Sequence, residues 1–169
     1  MSTRGFVGIR KGGVDKGGYN HSDSYYSGLG SEIVSFLRGK TLKKLKDIFD
    51  NIVFVDYEKE DFVTAWDWDN SCFNLRFTDN SEFLKDSLFC EYAYIINLDD
   101  RVLEIYRGFN TDPEGNGRYA SQYIKSEVPG VEQYYGVVLQ RTIPLRELFA
   151  GKWHVKDTDS GMGAFYKRK

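Results

Sequence analysis

Apolar positions Leu42, Leu45, Ile48, Phe49 and Ile52 recur at helical spacing, with Lys43, Lys44, Lys46, Asp47 and Asp50 on the other side. That stripe predicts an amphipathic helix opened by a Thr41 cap and running to Ile52. Upstream, Ile33, Val34, Phe36 and Leu37 predict a shorter helix from Ser31, with Gly39 as its stop. Elsewhere the pattern favours strands. Thr3 to Arg10 reads as a strand, Lys11-Gly12-Gly13 as a turn, and Val14 to Asp23 as the returning strand, which places His21 and Asp23 on one face.

Further along, Ile52 to Tyr57 predicts a buried strand. Phe73, Leu75 and Phe77 alternate with Asn74, Arg76 and Thr78 as in a half-buried one. Tyr92 to Leu98 and Arg101 to Arg107 predict a hairpin joined by Asp99-Asp100. Phe109 to Arg118 is a loop by composition, and Tyr119 to Ile124 is either a short helix or an irregular turn. Tyr134 to Thr142 reads as a strand, Pro144 to Phe149 as a helical segment, and Gly151 to Tyr166 as glycine-punctuated chain. The sum is a single α+β domain over residues 1–169: a mainly antiparallel sheet with the two helices of the N-terminal half packed on one face. The hairpins argue against a parallel sheet.

Composition sharpens this picture. With 41% hydrophobic residues but 12 Tyr, 12 Phe and 3 Trp, the core is expected to be aromatic. A net charge of -2 gives no global positive field, so nucleic acid is a disfavoured partner. Cys72 and Cys90 have no metal-site spacing, and no run is long enough to span a bilayer. Reduced thiols and the lack of an apolar leader place the protein in a cytoplasm, with no cofactor and no metal site expected.

Several constellations carry potential chemistry. His21 and Asp23 on one strand face would stand roughly 7 Å apart, close enough to share a substrate. The other reading is that Asn20, His21, Ser22 and Asp23 organise a turn through side-chain to backbone hydrogen bonds. If Met1 is removed, Ser2 heads a strand as an N-terminal nucleophile does, and a small hydrolase is the alternative function. A Cys72 thiol triad with His21 and an aspartate is conceivable, although free cysteine usually fills a core. Asp67 and Asp69 read either as paired carboxylates or hard-metal ligands, or as alternation on a strand. No phosphate-loop spacing is present, although Arg107 and Arg118 flank a glycine-rich and asparagine-rich loop. The acidic segment from Asp56 to Asp86 interleaves carboxylates with aromatics. Asp56, Glu58, Trp66, Asp67, Trp68 and Asp69 are therefore the candidate partner-binding residues, and a solvated sheet edge is the competing explanation.

Thr3-Arg4-Gly5, the block Tyr19-Asn20-His21-Ser22-Asp23-Ser24-Tyr25 with Gly28-Leu29-Gly30, and the block Glu91 to Gly108 together resemble a set of small bacteriophage and bacterial proteins. The likeness covers most of residues 3–108. It implies a phage or prophage setting, where such proteins are accessory factors, and it carries no catalytic residue onto this chain. The expected function is binding of a host protein, as a host-defence antagonist would, or of a small anionic ligand held by Arg4, Asn20, His21, Asp23 and Arg107.

Overall fold

The structure is a computed structural model that describes residues 2–56, 58–59 and 63–169. Strands β1 (Gly5–Lys11) and β2 (Val14–Asn20) form the N-terminal hairpin around the Gly12-Gly13 turn. Both turn glycines have positive φ, which a side chain would strain. Helices α1 (Ser31–Leu37) and α2 (Leu42–Asn51) follow. Thr41 caps α2 by accepting the Lys44 N–H at 3.1 Å. Gly30 holds the cap position before α1, at the end of a turn over Tyr26–Gly30 that is kinked at Gly28 (φ -95, ψ -107).

From Val53 to Phe77 the described residues form two-residue strands: β3 (Val53–Phe54), β4 (Trp66–Asp67), β5 (Cys72–Phe73) and β6 (Arg76–Phe77). They pair as β3 with β6 and β4 with β5, outside the main sheet. The strand expected over 52–57 is thus a short exposed ribbon at Val53 and Phe54, and Tyr57 lies outside the described residues. The second hairpin, β7 (Tyr92–Asn97) and β8 (Val102–Arg107), turns through four residues instead of two, with Arg101 at φ 57. After β9 (Val138–Pro144), helix α3 (Leu145–Phe149) and the hairpin β10 (Trp153–Lys156) with β11 (Ala164–Lys167) complete the chain.

The fold is α+β, and its five-stranded sheet has the order β2-β1-β7-β8-β9. Three of its four pairings are antiparallel, in keeping with a mainly antiparallel sheet, and the sheet is mixed because β1 pairs with β7 in parallel, from Gly5↔Tyr92 to Arg10↔Asn97. β2 already occupies one edge of β1, so the other edge is free to receive a strand from far along the sequence. Both faces of the sheet are covered, and β7 accordingly is buried at every residue. On one face Val7, Ile9, Tyr94, Ile96 and Ile105 pack with Ile33, Leu37 and Leu45 from the two helices. On the other face Phe6, Ala93, Ile95 and Tyr106 pack with Leu84 from a short 3-10 turn (Ser81–Lys85) and with Tyr119 and Val137 from loops. Among the described residues no helix is long and apolar enough to cross a membrane.

Candidate functional site

The residues expected to hold an anion share one end of the sheet, because Asn20, Gly5, Tyr92 and Arg107 are register partners in turn across β2, β1, β7 and β8. They do not converge. Arg4 has the strand parity of Phe6, on the loop-covered face, and its guanidinium lies 5.2 Å from the centre of the Phe89 ring. Arg107 has the parity of Ile105, on the helix-covered face, and stacks 4.1 Å from the Tyr92 ring centre while donating to Met162 Sδ. The anion site built from both arginines is therefore not assembled.

Nor do His21 and Asp23 share a strand face. β2 ends at Asn20, and Asp23 sits at φ 55, so the chain leaves the sheet between them. Asn20 causes the departure. Its buried amide donates to Ser22 O and Ser24 Oγ at 2.6 and 2.8 Å, and its oxygen accepts from Trp68 Nε1 at 2.9 Å. Asp23 O accepts the Leu29 N–H and Asp23 Oδ1 accepts the Tyr25 hydroxyl, a bond that raises the pKa of Tyr25. The polar block thus builds the turn into α1. Tyr19 OH and His21 Nδ1 are 2.9 Å apart, and Ser2 Oγ donates to His21 O at 2.8 Å.

The candidate partner-binding residues are also dispersed. Trp66 is 1% exposed and meets Phe36 and Phe73 edge-on, so it belongs to the core and presents nothing to a partner. The β4–β5 ribbon turns that face onto α1. Asp67 accepts from the backbone of Asp69 and Asn70 and from the Asn70 amide; the amide bond leads in lowering its pKa. Asp56 likewise caps Glu58 N–H and pairs with Lys59 at 3.5 Å. Trp68, Asp69 and Glu58 remain exposed, and Phe62 lies outside the described residues.

A different surface gathers exposed apolar side chains. Phe89, Phe109, Tyr123, Ile124, Val128 and Val131 are each 46–61% exposed. Three grooves here share lining residues. Ser2, Arg4, Leu88, Phe89, Glu91 and Phe109 line one of 230 Å³. Leu88 continues into a second of 190 Å³ with Ile124, Val131 and Tyr134. Ile124 and Asp86 also line a third of 420 Å³, together with Tyr19 and Phe83. Carboxylates rim the system at Asp79, Glu82, Asp86, Glu91 and Glu132, against Arg4, Lys85 and Lys125, of which Lys85 is paired with Glu82 at 2.9 Å. Burial raises the pKa of Asp86 even though backbone N–H groups of Phe89 and Leu88 oppose it.

Buried polar groups hold these grooves in place. Asn110 donates to Ala120 O and Gly136 O at 3.1 and 3.0 Å, closing the neck of the 120–136 segment. The segment is tied to the sheet by Tyr119, whose hydroxyl donates to Asp15, and by Arg118, which grips Glu104 in a fork at 2.8 and 2.7 Å. Burial works to raise the pKa of Glu104, but hydrogen bonds from Arg118, Asn97 and Tyr106 outweigh it and hold the carboxyl below its ordinary value. Burial and the neighbouring Asp15 raise the pKa of Tyr119, so its phenol stays protonated as a donor. No periodic pattern points to this surface. The one available signal is the apolar pairs Tyr123-Ile124 and Val128-Val131 set within loop-like chain around Pro129-Gly130. Among the described residues no group of three or more His, Cys, Asp or Glu side chains is placed to hold a metal ion. Comparison with family models, with curated proteins and with solved structures gives no match to this chain.

Proposed function

We propose that the protein works by binding, and that its neighbouring grooves receive an apolar, basic segment of a partner protein. The observation that carries this reading is the set of exposed apolar side chains Phe109, Phe89, Ile124 and Val131, which with half-buried Leu88 line three grooves that share residues. Exposed apolar surface of that extent, rimmed by polar groups, is characteristic of interaction sites. The excess of rim carboxylates favours a partner with basic residues and disfavours an acidic one. In the phage or prophage setting that the resemblance implies, the partner is a host protein.

Ile124→Asp combined with Val131→Asp places two charges in the grooves at exposed positions. Affinity capture from a bacterial lysate, followed by mass spectrometry, is expected to retain a protein with the parent chain and to lose it with this variant at an unchanged melting temperature. Identical capture by both chains would refute the groove reading. Capture abolished by Asp69→Lys alone would return the interface to the 56–69 segment.

A further inference from the structure

A cleft of 380 Å³ lies at the other end of β8, between the start of α2 and α3. Leu42, Leu145 and Phe149 give it apolar walls, and Lys40, Arg101 and Arg146 stand around them. Two backbone bonds fix this arrangement: Leu145 N donates to Arg101 O at 3.0 Å, and Gly39 N donates to Phe149 O at 2.9 Å. Lys40 is further placed by the Phe36 ring, 4.8 Å from its ammonium.

None of the three cations has an ion-pair partner among the described residues. The carboxylates adjacent in sequence are engaged elsewhere. Asp99 accepts the Gly12 and Gly13 N–H groups, Asp100 accepts from Asn97, and Glu147 accepts from Lys167 and Trp153. In a chain of net charge -2, an apolar cleft edged by three cations without an ion pair, of which Arg146 feels a neighbouring carboxylate at Glu147, is matched by a ligand that is both apolar and more than singly negative.

We propose that this cleft binds a phosphomonoester carrying a compact apolar body. Its dianionic head meets Lys40, Arg101 and Arg146, with arginine forks suited to phosphate oxygens, and its body lies against Leu42, Leu145 and Phe149. A monocarboxylate would leave part of the cationic rim unmatched, and free phosphate would leave the apolar walls wet.

Isothermal titration calorimetry with phenyl phosphate, inorganic phosphate and benzoate tests the proposal on the full chain. Phenyl phosphate is expected to bind about tenfold or more tightly than either of the other two, and more weakly as salt is raised. Arg101→Gln with Arg146→Gln, both exposed and outside the ion pairs, should weaken it about tenfold or more while the melting temperature holds. Ile124→Asp with Val131→Asp should leave it unchanged. Absence of phenyl phosphate binding would overturn the proposal. So would equal binding by the arginine double variant, or benzoate binding as tightly as phenyl phosphate.

Discussion

Glu104→Leu is expected to destabilise the protein by about 3 kcal/mol, and the reasoning can be checked through its partner Arg118. Glu104 sits mid-strand in β8 and accepts four hydrogen bonds: two from Arg118, one from Asn97 at 2.9 Å and one from the Tyr106 hydroxyl at 2.8 Å. Its side chain is 6% exposed and that of Arg118 28%, so deleting the carboxylate strands a largely buried guanidinium. Breaking such a pair costs roughly 3–5 kcal/mol. The lower end applies because Asp15 stands 3.7 Å from Arg118 Nη2 and still neutralises part of its charge. For a chain of this size about 3 kcal/mol lowers the melting temperature by roughly 6–12 °C.

Urea unfolding followed by tryptophan fluorescence at pH 7 measures the loss. Arg118→Met in the Glu104→Leu background should recover it to within about 1 kcal/mol, since an apolar pair needs no desolvation to be repaid. The pH dependence has a fixed sign. The folded carboxyl has a depressed pKa, so its stabilisation is complete above the unfolded value of about 4.3 and is lost as pH falls from there through the folded value. The gap between parent and variant should therefore narrow below about pH 4.3. A loss under about 1 kcal/mol at pH 7, additive effects in the double variant, or a gap that widens in acid would refute the reasoning.

Two further outcomes follow from packing. In Gly5→Ala the new Cβ would meet Tyr92 O at 2.6 Å and Ser24 Cβ at 2.7 Å, so the β1–β7 pairing must shift. A loss of about 1–3 kcal/mol in the same urea assay is expected, and an unchanged midpoint would contradict the close parallel approach. Thiol labelling of the native protein by Ellman's reagent should modify Cys72, which is half-buried, well before Cys90. Burial in an apolar cluster, with Asp86 and Glu91 nearby, drives the Cys90 pKa well up, and early labelling of Cys90 would disprove that burial.

Elements whose signal is local were legible in the sequence. The Gly12-Gly13 turn, the Leu42 to Ile52 stripe with its Thr41 cap, and the two apolar runs flanking Asp99-Asp100 each declare themselves within a dozen residues. The parallel β1–β7 pairing was not, because nothing near Gly5 names Tyr92 as its neighbour, and each strand already had an adjacent hairpin partner. His21 and Asp23 were misplaced for a related reason. The β pattern of Val14 to Asp23 has no break at Asn20, and the amide that ends the strand acts through Ser22, Ser24 and Trp68. Acidity interleaved with aromatics did mark an unusual segment, yet composition does not say which rings a short ribbon will bury, and Trp66 went inside. The grooves were invisible because their walls come from Leu88-Phe89, Phe109 and the 120–136 segment, which have no period in common.

The placement of the two proposed sites follows from β8. Arg101 immediately precedes this strand and Phe109 lies just beyond its end, so a six-residue ribbon separates cleft from groove by about 20 Å at the usual strand rise. A partner and a small anion can then be held together without touching. The two sites depend on different supports. The groove walls hang on side-chain bonds, Arg118 to Glu104, Tyr119 to Asp15 and the Asn110 clamp, that pin loop to sheet. The cleft is stitched by backbone bonds among a turn and two helix ends, none of which involves Glu104. Loss of the Glu104 carboxylate therefore acts first on the loop-covered face. Its reach into the cleft is limited to what the strands transmit: β8 lies between Arg101 and Phe109, and β9 runs from the end of the groove segment to Leu145.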